Sequence, residues 1–257
     1  MAGIASGSQS HTLSEFKEDL NNAFEIRDQG GSIEEWRSYL VNQGYSVGDA
    51  VYSYPEDHPD GVTNIIEPDH LANKKDLDIH ISLVGPKDLS DYGETYAASL
   101  DMKYIEDGDL IHDTQGEPPV DLAGFGYHDP HWELITNDLS EATETSENIN
   151  YRDGSYSTGG LAFDVYDEDL TIVTNGSPTE QCTVFLNPTG DADPEERIVH
   201  GDYHHTWNEI EIQGVSINPS GLSVVVSDEA QEWETDTTRY GEEILKLSQA
   251  DATPPLF

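Results

Sequence analysis

Basic residues are scarce in this chain. Its 257 residues hold 11 Lys and Arg against 52 Asp and Glu, a formal charge of −41 and a pI near 4.1. A face that binds phosphates needs clustered Lys and Arg. Here Lys74 and Lys75 are adjacent but Asp76 follows them, so nucleic acid is not an expected partner. Cysteine is as rare. Cys182 stands alone, which excludes an intrachain disulfide. It alternates with Val184 and Leu186 in "QCTVFLN" and reads as a small buried apolar residue. No apolar run approaches the roughly 20 residues of a membrane span. The opening "MAGIASGSQSHT" has neither the basic nor the apolar region of a secretory signal. The expectation is a chain with no membrane span, made in the cytoplasm and leaving it only as part of a particle.

Catalytic signatures are missing as well. There is no G-x-S-x-G and no G-x-x-x-x-G-K-[ST]. "STGG" (157–160) leads into a strand pattern rather than a helix, so it builds no anion cradle. No catalytic residue and no organic cofactor is assigned.

The aromatic residues point to a packed core. Disordered acidic chains have few aromatics and few β-branched residues, whereas this one has 13 Tyr, 6 Phe and 4 Trp within alternating apolar runs. Adaptation to molar salt accounts for both the charge and the core. At 1 M ionic strength the screening length is about 3 Å, so neighbouring carboxylates barely repel. A salt-loving archaeal source, or a virus of one, is the expected origin.

Two short helices open the pattern. Thr12-x-x-Glu15 is a capping box, and Leu13, Phe16, Leu20 and Phe24 share one helical face over about 13–28. Ser32-x-x-Glu35 is a second capping box, before Ile33, Trp36, Tyr39 and Leu40, and Gly44 is the stop. "YPEDHPDG" (54–61) breaks the pattern.

After residue 75 the period changes to two. In "LDIHISLVG", Leu77, Ile79, Ile81 and Leu83 lie on one face, and Asp78, His80 and Ser82 on the other. "ETYAASLDMKYI" alternates likewise. "VDLAGFGYHDPHWELIT" reads as two strands around a turn, and 138–150 as a polar loop or domain junction. "GLAFDVY", "LTIVT" with its "NGSP" turn, "QCTVFLN", "RIVH" and "GLSVVVS" are further short strands. A parity change at Gly214 in "TWNEIEIQGVSIN" predicts a bulge or a bend. "EILKLS" fits a last strand or a helical turn. The fold class is mainly β: antiparallel sandwich or jelly-roll-like units with a short N-terminal helical pair. The expected divisions are 1–60 (arm and helical pair), 61–145 (first β-rich unit) and 146–257 (β-sandwich with a C-terminal tail).

Two histidine clusters are weighed as metal sites against a plainer reading, a sheet face and a solvated turn between strands, and no metal site is assigned. In "HGDYHHTW" (200–207), His200, Asp202 and His204 share parity and make a three-ligand set for zinc if the strand continues. Gly201 and Asp202 disfavour a strand, so a bend is expected there. In "YHDPHW", His128 and His131 flank Asp129-Pro130 in a turn. The acidic loops 106–109, 167–170 and 191–196 match no calcium-binding hand and read as hydrated loops that hold Na⁺, K⁺ or Ca²⁺ diffusely.

The signal-less, acidic, Tyr- and Trp-rich chain, with its helical start and strands such as "GLAFDVY", "QCTVFLN", "HHTWNEIEIQGVSIN" and "GLSVVVS", resembles virion structural proteins of haloarchaeal viruses. These are capsid, turret and tail components. The resemblance lies in composition and in the β-rich two-thirds of the chain, and it transfers no site residues. It implies a non-catalytic protein that associates with its own copies and with other structural subunits in a virion. The apolar ending "DATPPLF" is read as a docking tail. The competing expectation is a halophilic cytoplasmic metal-dependent enzyme, or a carbohydrate-binding sandwich, that uses the histidines near 128–131 and 200–205.

One prediction follows from the charge alone. At about 0.01 M salt the screening length grows to about 30 Å, and carboxylate repulsion then opposes the compact state. Thermal melts followed by circular dichroism should show stability falling steadily from molar salt to 0.01 M. A flat profile would refute salt adaptation.

Overall fold

A computed structural model describes residues 11–53, 77–104, 121–155, 159–166, 179–207, 212–218, 221–226, 231–234, 238–239, 242–243 and 245–252. The expected turn at 54–61, the acidic loops at 106–109 and 167–170, the "LTIVT" strand with its Asn-Gly turn, and the last residues of the tail lie outside these.

Helix α1 spans Leu13–Asp28 and α2 spans Ile33–Asn42. Both begin with the expected capping boxes: Thr12 and Ser32 accept from the backbone N–H groups of Glu15 and Glu35, whose side chains reach back to the cap N–H groups at 2.7 and 2.9 Å. Two donors are satisfied at each helix start. The strands follow: β1 Ser46–Ser53, β2 Leu77–Leu89, β3 Gly93–Tyr104, β4 Asp121–Tyr127 and β5 Trp132–Leu134. A single helical turn, α3 Leu139–Ala142, leads to β6 Thr143–Thr145 and β7 Ile149–Tyr151. Then come β8 Gly160–Val165, β9 Thr179–Pro188, β10 Ile198–Trp207, β11 Ile212–Asn218 and β12 Gly221–Val226. The last are β13 Gln231–Glu234, β14 Thr238–Arg239, β15 Glu242–Glu243 and β16 Lys246–Ser248, before a 3₁₀ turn at Gln249–Ala252.

The strands build two six-stranded sheets. The first runs β1-β2-β3-β9-β5, with β6 also on the edge of β9. The second runs β13-β10-β4-β8-β7, with β16 also on β10. All these pairings are antiparallel. The inner faces form one core. Ile79, Ile81 and Leu83 of β2, Leu100 and Met102 of β3, and Cys182, Val184 and Leu186 of β9 meet Ala123 and Phe125 of β4, Phe163 of β8 and Tyr203 of β10. Period-two alternation on both sheets supplies this layer. Burial pushes the Cys182 thiol well above the ordinary thiol range, consistent with its apolar reading.

Three details differ from the sequence reading. The "HDP" turn joins strands of different sheets, because β5 pairs with β9 and β4 with β8 and β10. The polar stretch 138–150 holds α3, β6 and β7 and carries the chain from the first sheet to the second. The "HGDY" segment continues β10 as a strand: Gly201 has no side chain because Leu100 occupies the space, and Asp202 pairs with Gly124. Gly214 does mark a register shift, as expected. The "EILKLS" stretch ends as strand β16, and the 3₁₀ turn at Gln249–Ala252 follows it. Each sheet draws strands from both sides of residue 146.

A Cβ on Gly160 would lie 2.0 Å from the Phe125 carbonyl oxygen and 2.5 Å from Ile217 Cγ2, at φ +150°. One on Gly201 would meet the movable end of Leu100 at 2.6 Å. Gly201→Ala should therefore cost about 1–3 kcal/mol by overpacking, and Gly160→Ala more, since backbone must part. Urea unfolding at fixed molar salt should give that order, and the reverse order would contradict the packing.

Candidate functional site

The outer face of the first sheet carries the most concentrated polar chemistry among the described residues. Alternation sends His80 and Ser82 of β2, Ser99 and Asp101 of β3, Gln181 and Thr183 of β9, and Asp49 of β1 away from the apolar core. A face of this kind would ordinarily be solvated. Here the two helices lie on it. Phe16, Leu20 and Ala23 of α1 and Trp36 and Leu40 of α2 pack with Tyr45, Val84, Leu89, Ala97 and Phe185. His80 and Asp101 are left 0% exposed.

Under the helices most of the polar groups are matched, the buried Ser82 hydroxyl being an exception. His80 Nδ1 lies 3.0 Å from Asp101 Oδ2, and Nε2 lies 3.4 Å from Asp49 Oδ2. A neutral imidazole has one donor nitrogen, while a carboxylate only accepts. Carboxylates at both nitrogens therefore select the doubly protonated ring. Gln181 Nε2 donates to Asp101 Oδ1 at 2.8 Å, and Arg37 Nε donates to Asp49 Oδ1 at 3.0 Å. Ser99 and Thr183 hydroxyls bond each other at 2.8 Å. The Trp36 ring closes over His80 edge-on, with centroids 4.8 Å apart.

Electrostatics follow the geometry. Burial disfavours a charge on His80, and Arg27 of α1 opposes it further, but the hydrogen bonds to Asp101 and Asp49 outweigh both and hold its pKa above the ordinary histidine value. Burial would raise Asp49, yet its bonds from His80 and Arg37 bring it below the ordinary aspartate value. The cluster is a sealed charge network that fastens the helical pair to the sheet.

The second sheet has its own polar row. His200, Asp202 and His204 do share the outer face of β10 and are 6%, 4% and 2% exposed. The hairpin β11–β12 lies against this side of the sheet, with Val215 and Ile217 packing on Leu122 and Ala162. The three residues stand along one strand, where His200 and His204 are about 14 Å apart at ~3.4 Å per residue, and side chains stand perpendicular to the sheet. Among the described residues, no group of three or more His, Cys, Asp or Glu could hold a metal ion. On the opposite face of β10, the Tyr203 hydroxyl donates to buried Asp121 of β4 inside the core.

His128 and His131 sit in the turn between β4 and β5, their rings 4.5 Å apart. They do not meet His204, which pairs with Leu122 at the opposite end of β4. The loop 191–196 is mostly exposed, as expected.

The sequence places His80 on the face opposite the apolar one and does not show that this face is covered. The available signal was depletion. Although the chain is one-fifth acidic by its 52 carboxylates in 257 residues, the outward positions of the central strands are mostly small, neutral or histidine.

No family model matches the chain, and no curated protein matches it. A solved structure described as "pH-induced modulation of Streptococcus parasanguinis adhesion by Fap1 fimbriae" is similar over 59% of this chain and 75% of its own, at 14% identity and a TM-score of 0.24. So slight a likeness bears on neither fold nor function. Among the described residues no helix is long and apolar enough to cross a membrane.

The network sets a pH window. His80 has a raised folded pKa, so its contribution is complete below the unfolded value near 6.5 and is lost as pH rises through the folded value. Asp49 has a lowered folded pKa, so its contribution is complete above about 3.9 and is lost as pH falls through the folded value. Stability in molar KCl should therefore peak between about pH 4 and 6.5. His80→Ala leaves two buried carboxylates short of a partner and should cost about 3–5 kcal/mol, with the alkaline decline removed. Urea melts across pH test both, and an unchanged alkaline limb in the variant would contradict the charged imidazole.

Proposed function

We propose that this chain is a non-catalytic assembly protein working in concentrated salt, and more narrowly a virion component (capsid, turret or tail) of a haloarchaeal virus. The observation that carries the reading is the charge of −41 around an aromatic-rich β-sandwich. Such a surface keeps a protein hydrated where the screening length is a few ångströms. Two features support a cohesive rather than catalytic role for the buried histidines. His80 is sealed by Trp36 and saturated by its carboxylates. His200 and His204 lie buried in a row beside the β11–β12 hairpin. A general base must reach the proton it takes, and His80 has both nitrogens committed inside the fold. The partners are further copies of the chain and other structural subunits, with repulsion between acidic faces muted by salt.

Sedimentation in several molar KCl is the decisive measurement. The full chain should sediment as a defined oligomer, and removal of residues 253–257 should weaken it. A monodisperse monomer with and without those residues would count against assembly. Stoichiometric Zn or Mn that disappears in His204→Ala would favour a metal-dependent enzyme instead.

A further inference from the structure

The turn between β4 and β5 is an exposed feature with a different chemistry. His128, Asp129 and Pro130 are exposed, and His131 is partly so. The backbone beneath them is tightly held. The N–H groups of His131 and Trp132 both donate to the His128 carbonyl, at 2.8 and 3.0 Å, and Pro130 fixes one dihedral between them. Trp132, wholly buried, anchors the far side. The neighbouring β9–β10 loop braces the turn: Thr189 N–H donates to the His131 carbonyl at 2.9 Å. Gly190, at φ +62°, lets that loop approach so closely that a Cβ would stand 3.0 Å from the Pro130 carbonyl oxygen.

The same loop sets the protonation of one ring. His131 Nδ1 lies 2.8 Å from the Glu196 carbonyl oxygen. A carbonyl only accepts, so Nδ1 carries the proton and the neutral ring presents a bare Nε2. Metal-binding histidines are held in this way, with the other ring nitrogen donating to a carbonyl or carboxylate. The His128 ring stands 4.5 Å away, centroid to centroid, tilted by 51°.

We propose that His128 and His131 form a two-imidazole clasp for a divalent transition-metal cation, with solvent filling its remaining positions. Imidazole suits Cu²⁺, Zn²⁺ and Ni²⁺, and Cu²⁺ binds tightest of these by the general affinity order. Two features favour binding. The turn is braced before any metal arrives, so little ordering is left to oppose it. The acidic surface attracts cations and carries few of its own. The clasp is independent of the assembly proposed above, because it involves neither the tail nor the face next to β11–β12.

The test is a titration of chelator-treated full-length protein with CuCl₂, then ZnCl₂, at neutral pH in molar KCl. Calorimetry measures affinity, and the copper spin-resonance spectrum counts nitrogen ligands. One equivalent of Cu²⁺ should bind with two nitrogens in its spectrum. Disturbing the groups around a ligand alone costs about 10- to 100-fold in metal affinity. His128→Ala and His131→Ala, checked for folding by circular dichroism, should therefore each weaken binding by at least about tenfold. His11→Ala should bind as the parent does, and so should His204→Ala, which separates this site from an enzymatic metal at β10. Absence of an equivalent in the parent protein, or undiminished binding in a folded His128→Ala variant, overturns the clasp.

Discussion

The seating of the helices depends on one imidazolium held between two carboxylates. His80 pairs with Asp101 on one side and Asp49 on the other, and without it both carboxylates would lose a partner in a site closed to solvent. With the ring charged and Arg37 bound to Asp49, the positive and negative charges under α2 balance. Every further polar group on the sheet then needs a partner, and Gln181, Ser99 and Thr183 find theirs within the same layer. With those charges and amides paired, Phe16, Trp36 and Leu40 cover the layer much as they would cover an apolar face.

This arrangement gives the scarce cations a structural meaning. Lys17 on α1 reaches the carbonyl of Thr143 at 2.9 Å and the carboxylate of Glu144 at 2.8 Å. Arg27 is buried at the end of the same helix. Arg37 holds Asp49, and Lys87 lies over the Tyr45 ring. On the far side of the sandwich Arg197 binds Gln249, whose amide also reaches Tyr96, so the C-terminal turn is tied to β3. These contacts are partly withdrawn from solvent and are screened much less than fully exposed pairs. Among the described residues, the positive charges named here act between the protein's own elements.

The sandwich was legible wherever one face of an element was apolar and the other polar. The helices, β2, β3, β8, β9 and the bulge at Gly214 all lie where periodicity and capping residues put them. The crossing at Asp129-Pro130 was not legible, because a turn sequence specifies a change of direction but not which sheet the next strand joins. The strand through "HGDY" was not legible either. Glycine disfavours strands in isolation, yet at residue 201 it is required by the approach of Leu100 and Ile81 from the opposite sheet. The shared face of His200, Asp202 and His204 came from parity. Their spread along the strand is a consequence of that same pairing, and it sets them in a row rather than around a point.

By itself the sequence determined the acidic surface, the mainly β character, the capped helical pair and the alternation that assigns each strand residue to a face. Those properties are local or compositional, and they need only neighbours a few residues away. Tertiary structure alone decided which faces meet water. The polar face bearing His80 became an interior because helices from far upstream in the chain lie on it. His131, in the β4–β5 turn, acquired a defined tautomer because a loop more than sixty residues downstream presents a carbonyl to its Nδ1. Burial and charge state are set by partners brought together in space, and no spacing along the chain encodes that encounter.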